Sequence, residues 1–544
     1  MYLIENPVLQ RELLVNLRMP RAFVLLFLYQ ALLAVLVYFA WPQEVRLDLT
    51  ENPVEARRLV DLIFLGQYVL ASLMAPSFAA GSITGEKERK TYEMLLASQL
   101  RPAAIVLGKL LAALAHLALL IFASLPVVML CLPLGGVSIY EVMAAYLALI
   151  VSVVTFGMIS VACSSFFGRT AASLVVSYLL ILPLALLGAL LWRWLADYGQ
   201  LRLLLTVTVL PSSAAALCLL LFFSTCARLL HPPDVGSEGK EVLDPDLESE
   251  QVVGLVIERD KFPDRLFAPP KRNDLIADGT NPVYDKEIRS EVFSQGTLML
   301  RLVIQVSMVL ALPLMGVCLF FAPQWAPWYV AYVVMFNMLV GPVFSAGSIT
   351  SERERQTLDL LLTTSLTPWQ ILWGKLVAGL RVSSVLTSFL VWPLLLACLM
   401  VSTYWRNLGA VGAYLVIVPL CCATTAIVAL FCSVLFHKTT VSLVSTYLII
   451  LVLFCAPLAI EFFAATFFAD HPVTPWLHWT GSLSPFAAAF SVPLDTSLLG
   501  DRELDAAVPS WIPFLTYCAA VVPFNALLFG TMTWMFNRRW RVAD

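Results

Sequence analysis

Residues Gly81–Leu110 read GSITGEKERKTYEMLLASQLRPAAIVLGKL, and Gly347–Leu376 read GSITSERERQTLDLLLTTSLTPWQILWGKL. The two stretches are identical at roughly half their positions and conservatively exchanged at most others. Each runs from a short charged segment through a proline to a Gly-Lys pair and a long apolar run. A chain that carries one element twice is a tandem duplication, so both halves must build the same frame around it. Had the loop simply been duplicated too recently to diverge, the flanking apolar segments would be equally alike, and they are not. A charged segment that stays alike while its apolar flanks drift points to one docking task performed twice.

The flanks decide the class. Of 544 residues, 60% are hydrophobic and 13% charged, against about 25% charged in soluble domains. This is the composition of a polytopic membrane protein. A net charge of −3 gives no basis for nucleic-acid binding. The cysteines, Cys131, Cys163, Cys421 and Cys422 among them, lie in or beside apolar runs and read as small packing residues. The five histidines have no metal-ligand spacing. The chain is therefore expected to bind no metal or cofactor and to carry no catalytic site of its own. The first apolar run, Ala22–Trp41, lacks a small-x-small exit and reads as a span that is retained.

Apolar runs fall near 20–41, 59–83, 103–134, 139–166, 171–195 and 202–230, then near 297–322, 326–349, 369–402, 408–436, 440–468 and 510–536. A second echo, CSSFFGRTAASLVVSYL (Cys163–Leu179) against CSVLFHKTTVSLVSTYL (Cys432–Leu448), fixes the register of the halves. Six spans is an even number, so both halves enter the membrane from the same side. The expected fold is an all-α polytopic membrane protein with two parallel repeats of six transmembrane helices. Each repeat carries an N-terminal interfacial helix and a cytosolic helix. The expected organisation is a first repeat at 1–230, a cytosolic linker at 231–280 and a second repeat at 281–544. An extended outer segment at 468–510, with Trp476, Trp479 and several prolines, is peculiar to the second repeat and suggests short helices dipping into the headgroup region. It is the stretch best suited to an outer-face partner.

Orientation follows from the basic residues. With both termini, the repeated charged segments, the linker and the Arg169 and Lys438 turns on one side, the other side keeps only Arg46, Arg57, Arg58, Arg193, Arg202, Arg406 and Arg502 of 34 Lys and Arg. This predicts a multi-pass protein of a bacterial-type cytoplasmic (inner) membrane with both termini cytosolic.

A third echo precedes each repeat. Asn6-Pro7-Val8 matches Asn281-Pro282-Val283, and Arg11-Glu12 stands where Lys286-Glu287 stands. Leu9, Leu13 and Leu17, and likewise Tyr284, Ile288 and Val292, recur every four residues, as in a helix lying on the membrane surface.

Within the charged element, Ser351 and Glu354 have capping-box spacing, and Gly85 with Glu88 is a weaker equivalent. Glu86, Glu88, Glu352 and Glu354 suit the positive end of a helix. Leu95-Leu96 and Leu361-Leu362 supply an apolar edge, and Pro102 and Pro368 suit the first turn of the next span. Lys109 and Lys375, two turns in, are expected to snorkel to the headgroups. The expectation is one rigid, capped helix with its acids facing outward.

This element resembles the coupling helix of ABC transporter permeases of the second type. Glu86-x-Glu88, Thr91, Leu95-Leu96, Pro102 and Gly108-Lys109 match that pattern, as do Glu352-x-Glu354, Thr357, Leu361-Leu362, Pro368 and Gly374-Lys375. The Asn-Pro-Val starts look like the lead helix of such permeases. The resemblance implies a transport subunit that couples to separate ATPase subunits through Glu86, Glu88, Thr91, Leu95, Leu96, Glu352, Glu354, Thr357, Leu361 and Leu362. It also implies two ATPase subunits, most simply a homodimer, that use ATP and Mg, and export as the direction. No G-x-x-x-x-G-K-[ST] phosphate loop occurs in the chain. The alternative is an ion-coupled secondary transporter with six plus six parallel spans. Such carriers usually hold charges in their spans, whereas His116, Arg381 and Glu461 lie near span ends here.

Overall fold

In lipid, backbone N–H and C=O groups find no water, so a spanning segment must bond within its own helix. The computed structural model describes residues 7–17, 27–34, 53–131, 138–195, 199–230, 281–289, 305–467, 479–494 and 510–540, apart from single positions inside those ranges. Every regular element among them is helical. Nine of these helices are long and apolar enough to cross a membrane, and the shorter apolar helices Ser173–Ala189 and Ser307–Phe321 fall where further spans are expected. The chain is an all-α polytopic membrane protein. The linker at 231–280 and most of the first expected span lie outside the described residues.

The chain forms two compact units, Met1–Val235 and Gly236–Asp544. In the first unit the order is α1 (Pro7–Leu17), α2 (Pro53–Ala79), α3 (Gly81–Glu88), α4 (Tyr92–Leu96), α5 (Pro102–Cys131), α6 (Ile139–Phe166), α7 (Thr170–Trp194), α8 (Gly199–Leu204) and α9 (Leu210–Leu230). The second unit runs α10 (Pro282–Arg289), α11 (Ala326–Ala346), α12 (Thr350–Glu354), α13 (Leu358–Leu362), α14 (Pro368–Met400), α15 (Ser402–Arg406), α16 (Leu408–Leu435), α17 (Thr439–Phe467), α18 (Pro485–Ser491) and α19 (Ile512–Trp540). Helix for helix, α10–α14 repeat α1–α5, and α16 and α17 repeat α6 and α7. Trp369 and Trp392 on α14 are both more than half exposed. Their 23-residue separation, about 35 Å at 1.5 Å per residue, suits a hydrocarbon layer near 30 Å.

Both α2 and α11 contain a proline, Pro76 and Pro342, a residue that breaks the helical ladder and kinks the axis. Three residues before each proline a carbonyl gains an outside donor. Tyr178 Oη donates to Leu73 O at 2.6 Å, and Tyr447 Oη donates to Leu339 O at 2.6 Å. These tyrosines tie α7 to α2 and α17 to α11.

The described part of the segment 468–510 contains a short helix that packs on the spans. Helix α18 packs onto α11, α16 and α19, with Pro485, Ala488 and Ala489 buried. Ser484 Oγ donates to Phe454 O at 2.7 Å. Gly481 lets the Glu461 carboxyl close in, since a Cβ there would lie 1.6 Å from Oε2.

Tyr447→Phe deletes the bond to the Leu339 carbonyl and leaves the ring in place. We predict a loss of about 1 kcal/mol, read as a lower melting temperature of detergent-purified protein with unchanged helix content.

Candidate coupling site

The charged element is two short helices, not the single rigid helix expected. Between α3 and α4, Lys90 takes φ 58°, and Gln356 takes φ 57° between α12 and α13. The bonds around each are those of a Schellman end. Thr91 N–H donates to Glu86 O at 2.9 Å and Lys90 N–H to Lys87 O at 3.1 Å; Thr357 and Gln356 repeat both bonds with Glu352 and Arg353. A non-glycine residue in the left-handed region costs about 1 kcal/mol, and both copies carry one at the same place. The Ser351–Glu354 capping box does not form. Helix α12 begins at Thr350 with the apolar Ile349 as its N-cap, so Ser351 lies inside the helix, and the Glu354 carboxylate bonds Thr439 instead.

Glu86 and Glu352 turn inward, whereas Glu88 and Glu354 stay exposed as expected while bonding the next helix; the lysines do not snorkel. Lys109 and Lys375 have side chains only 3% and 1% exposed. An ammonium has three donors, and an unpaired one in an apolar interior is prohibitively costly. Lys375 Nζ spends its donors on Glu287 Oε1 at 2.5 Å, Ser348 O at 2.9 Å and Glu352 Oε1 at 3.4 Å. Lys109 Nζ donates to Ser82 O at 2.7 Å and Glu86 Oε1 at 3.3 Å, with Glu12 Oε1 at 3.7 Å. Thr91 and Thr357 turn back to bond the carboxylates of Glu86 and Glu352. Lys286 adds a second cation on Glu352 at 3.0 Å.

One buried lysine thus joins the lead helix, the charged element and the following span. Gly374 precedes Lys375 for a steric reason. A Cβ at Gly374 would meet the Asn281 side chain at 3.0–3.1 Å and Tyr284 N at 3.1 Å. Asn281 itself donates to Gln370 O at 2.7 Å and accepts from Val283 N–H at 3.0 Å. Pro7, Arg11 and Glu12 lie on the matching helix α1, which packs on α5; Pro282 opens α10. Asn6 lies outside the described residues.

The second echo forms the other wall of the site. Ser164 Oγ accepts the N–H groups of Ile83 and Thr84 at 3.0 and 2.9 Å, and Ser433 Oγ those of Ile349 and Thr350 at 2.9 and 3.1 Å. Lys87 Nζ donates to Ser165 O at 2.8 Å and Phe167 O at 2.9 Å; Arg353 donates to Phe436 O at 2.5 Å and Val434 O at 2.7 Å. Glu88 and Glu354 accept from Thr170 and Thr439.

Of the expected set, Glu88 and Glu354 are exposed, and further residues share that face. Leu95, Leu96, Leu361 and Leu362 are half-buried, and the second pair packs on the core around Ile349, Leu358 and Leu372. Tyr92 and Leu358 anchor the inner side; burial pushes the Tyr92 phenol up, and nearby Arg228 offsets part of that rise. Met94 is 75% exposed and Leu360 69%, each preceded by an exposed acid, Glu93 or Asp359. Sequence reasoning passed over these four. Their signal was positional equivalence in the repeat, masked by the break at Lys90 and Gln356. Among the described residues, no group of three or more His, Cys, Asp or Glu could hold a metal.

Residues 8–199 and 247–539 match the family model described as ABC-2 family transporter protein. No curated protein matches the chain.

Breaking a buried pair strands a charge, at about 3–5 kcal/mol, whereas exposed pairs are worth about 0–1 kcal/mol. Lys375→Ala should therefore lower the melting temperature several times more than Lys286→Ala, whose side chain is 58% exposed. Equal shifts would remove the clamp from its central place.

Proposed function

We infer, from the premise that this chain belongs to the ABC-2 transporter family and is a membrane subunit of an ABC transporter, that two ATPase subunits drive it through the paired α3–α4 and α12–α13 elements. The observation that carries this reading is that the same buried clamp is built twice and each copy leaves the same acid-plus-apolar pair exposed, Glu93-Met94 and Asp359-Leu360. An apolar knob beside a carboxylate suits a pocket with an apolar floor and a basic rim. The near-identity of the two elements favours a homodimeric ATPase, which would consume ATP and Mg. The chain itself hydrolyses nothing in this scheme. We assign export as the direction, by analogy with permeases of this type. The basic-residue bias favours a cytoplasmic membrane with both elements and both termini in the cytosol.

Glu86, Thr91, Glu352 and Thr357 hold the element's shape here, and Glu88 and Glu354 grip the next helix. Docking falls to the residues around Met94 and Leu360, with the Leu pairs behind them. Reversing the charge of Glu86 and Glu352, as in Glu86→Lys with Glu352→Lys, would set a second cation against each buried lysine and damage the fold as well as coupling.

Met94→Glu combined with Leu360→Glu should leave the permease folded and inserted but abolish copurification of the ATPase. Full retention of the ATPase would overturn the docking surface. A wild-type complex with one ATPase per chain would overturn the stoichiometry, and transport driven by an ion gradient without ATP would favour the carrier alternative.

A further inference from the structure

We propose that Glu88 and Glu354 are positioning residues that carry movement of the cytosolic elements into α7 and α17, and that they are not contacts for the ATPase. This rests on the reading that ATPase subunits push on these elements. Each carboxylate acts as an N-cap supplied from another part of the chain. Glu88 Oε1 accepts the Thr170 N–H at 2.8 Å and Glu88 Oε2 accepts the Thr170 hydroxyl at 3.0 Å. Glu354 accepts the Thr439 N–H at 3.1 Å and its hydroxyl at 2.9 Å. The first N–H groups of a helix have no partner inside it, and the helix dipole draws an anion to that end. Two charge-assisted bonds from one carboxylate also fix direction, so a shift of α3 or α12 drags the start of the next helix with it.

The preceding residue completes the grip. Lys87 and Arg353 bond the carbonyls that close α6 and α16, where the dipole draws a cation. The Lys-Glu or Arg-Glu pair therefore straddles the turn between two spans, with the cation on one helix's C-terminus and the anion on the next helix's N-terminus. Further into each unit, Tyr178 and Tyr447 tie α7 to α2 and α17 to α11. Force entering at α3 thus reaches α7 at two heights, and the same path exists from α12 to α17.

The test uses the complete transporter with its ATPase in vesicles and measures cargo moved per ATP hydrolysed. Glu88→Ala with Glu354→Ala should keep ATPase copurification and basal hydrolysis and lower that ratio about tenfold or more, as loss of two charge-assisted bonds per site implies. Thr170→Val with Thr439→Val, which removes the hydroxyl bond and keeps the N–H bond, should give a smaller loss in the same ratio, and Thr170→Ser with Thr439→Ser should leave it as in the wild type. A merely structural role would lower transport and hydrolysis together with the amount of folded protein, and the ratio would not move; that result overturns the proposal. So does loss of ATPase copurification in the Ala variants, which would make the carboxylates direct contacts. If the wild-type chain neither copurifies with an ATPase nor responds to one, the underlying functional reading fails whatever the variants do. Should the Ala variants not fold, Glu88→Gln with Glu354→Gln keeps an acceptor without the charge. It should give an intermediate ratio, and a wild-type ratio would overturn the idea.

Discussion

A lysine ammonium enclosed in an apolar helix bundle must have its donors met, and that requirement organises each unit. Lys375 on α14 can be buried only if Glu287 comes from α10 and if Glu352 and the Ser348 carbonyl come from the loop and helix after α11. Three segments that are far apart in the chain are therefore fixed about one nitrogen. Lys109 imposes the same condition on α1, α3 and α5. Snorkelling lysines would have left the lead helix, the charged element and the span free to move separately. Burial makes them one body, because parting any of them strands a charge at a cost of several kcal/mol.

The residues that the halves share turn out to be the ones that meet. The Gly81 and Gly347 segments, the Cys163 and Cys432 segments and the Asn281 segment supply the two walls and the base of the site. Repetition alone made these stretches visible, and the apolar runs made the spans visible, because both signals are local in the sequence. Which way Glu86 or Leu95 points was not legible. Helical periodicity assigns faces only within one unbroken helix, and the left-handed residue at Lys90 resets the phase. Nothing in the composition of Lys90 or Gln356 marks a helix stop, since glycine or asparagine is the usual signal there.

The halves also differ in the polar groups that join their spans. Asn337 on α11 is buried and donates to Ser383 and Thr387 at 3.1 Å, while Thr425 Oγ1 donates to its Oδ1 at 2.9 Å. Counting from the shared glycines Gly81 and Gly347, the residue in the place of Asn337 is Ala71; those in the places of Ser383 and Thr387 are Leu117 and Ile121. The first unit instead holds an ion pair, Arg202 with Asp61 at 3.3 Å, its guanidinium stacked 3.7 Å over Trp192. A satisfied amide amid apolar side chains fixes the register of α11, α14 and α16, because a slip would leave several polar groups without partners. Each unit thus has its own way of holding its spans together, around a charged base that has hardly changed.

That contrast has a physical reason. Apolar contacts between spans can be remade with many side-chain sets of similar volume, so drift there is cheap. The charged base works through dipoles, and dipoles have a sign. The turn from α6 to α7 offers carbonyls first and N–H groups next, so it accepts a cation followed by an anion and not the reverse. Lys87-Glu88 and Arg353-Glu354 differ in the cation, because either head can reach several carbonyls. They agree in the anion, because a single carboxylate must meet an N–H and a hydroxyl at once. The one freedom the pair shows lies on the side where the geometry permits it.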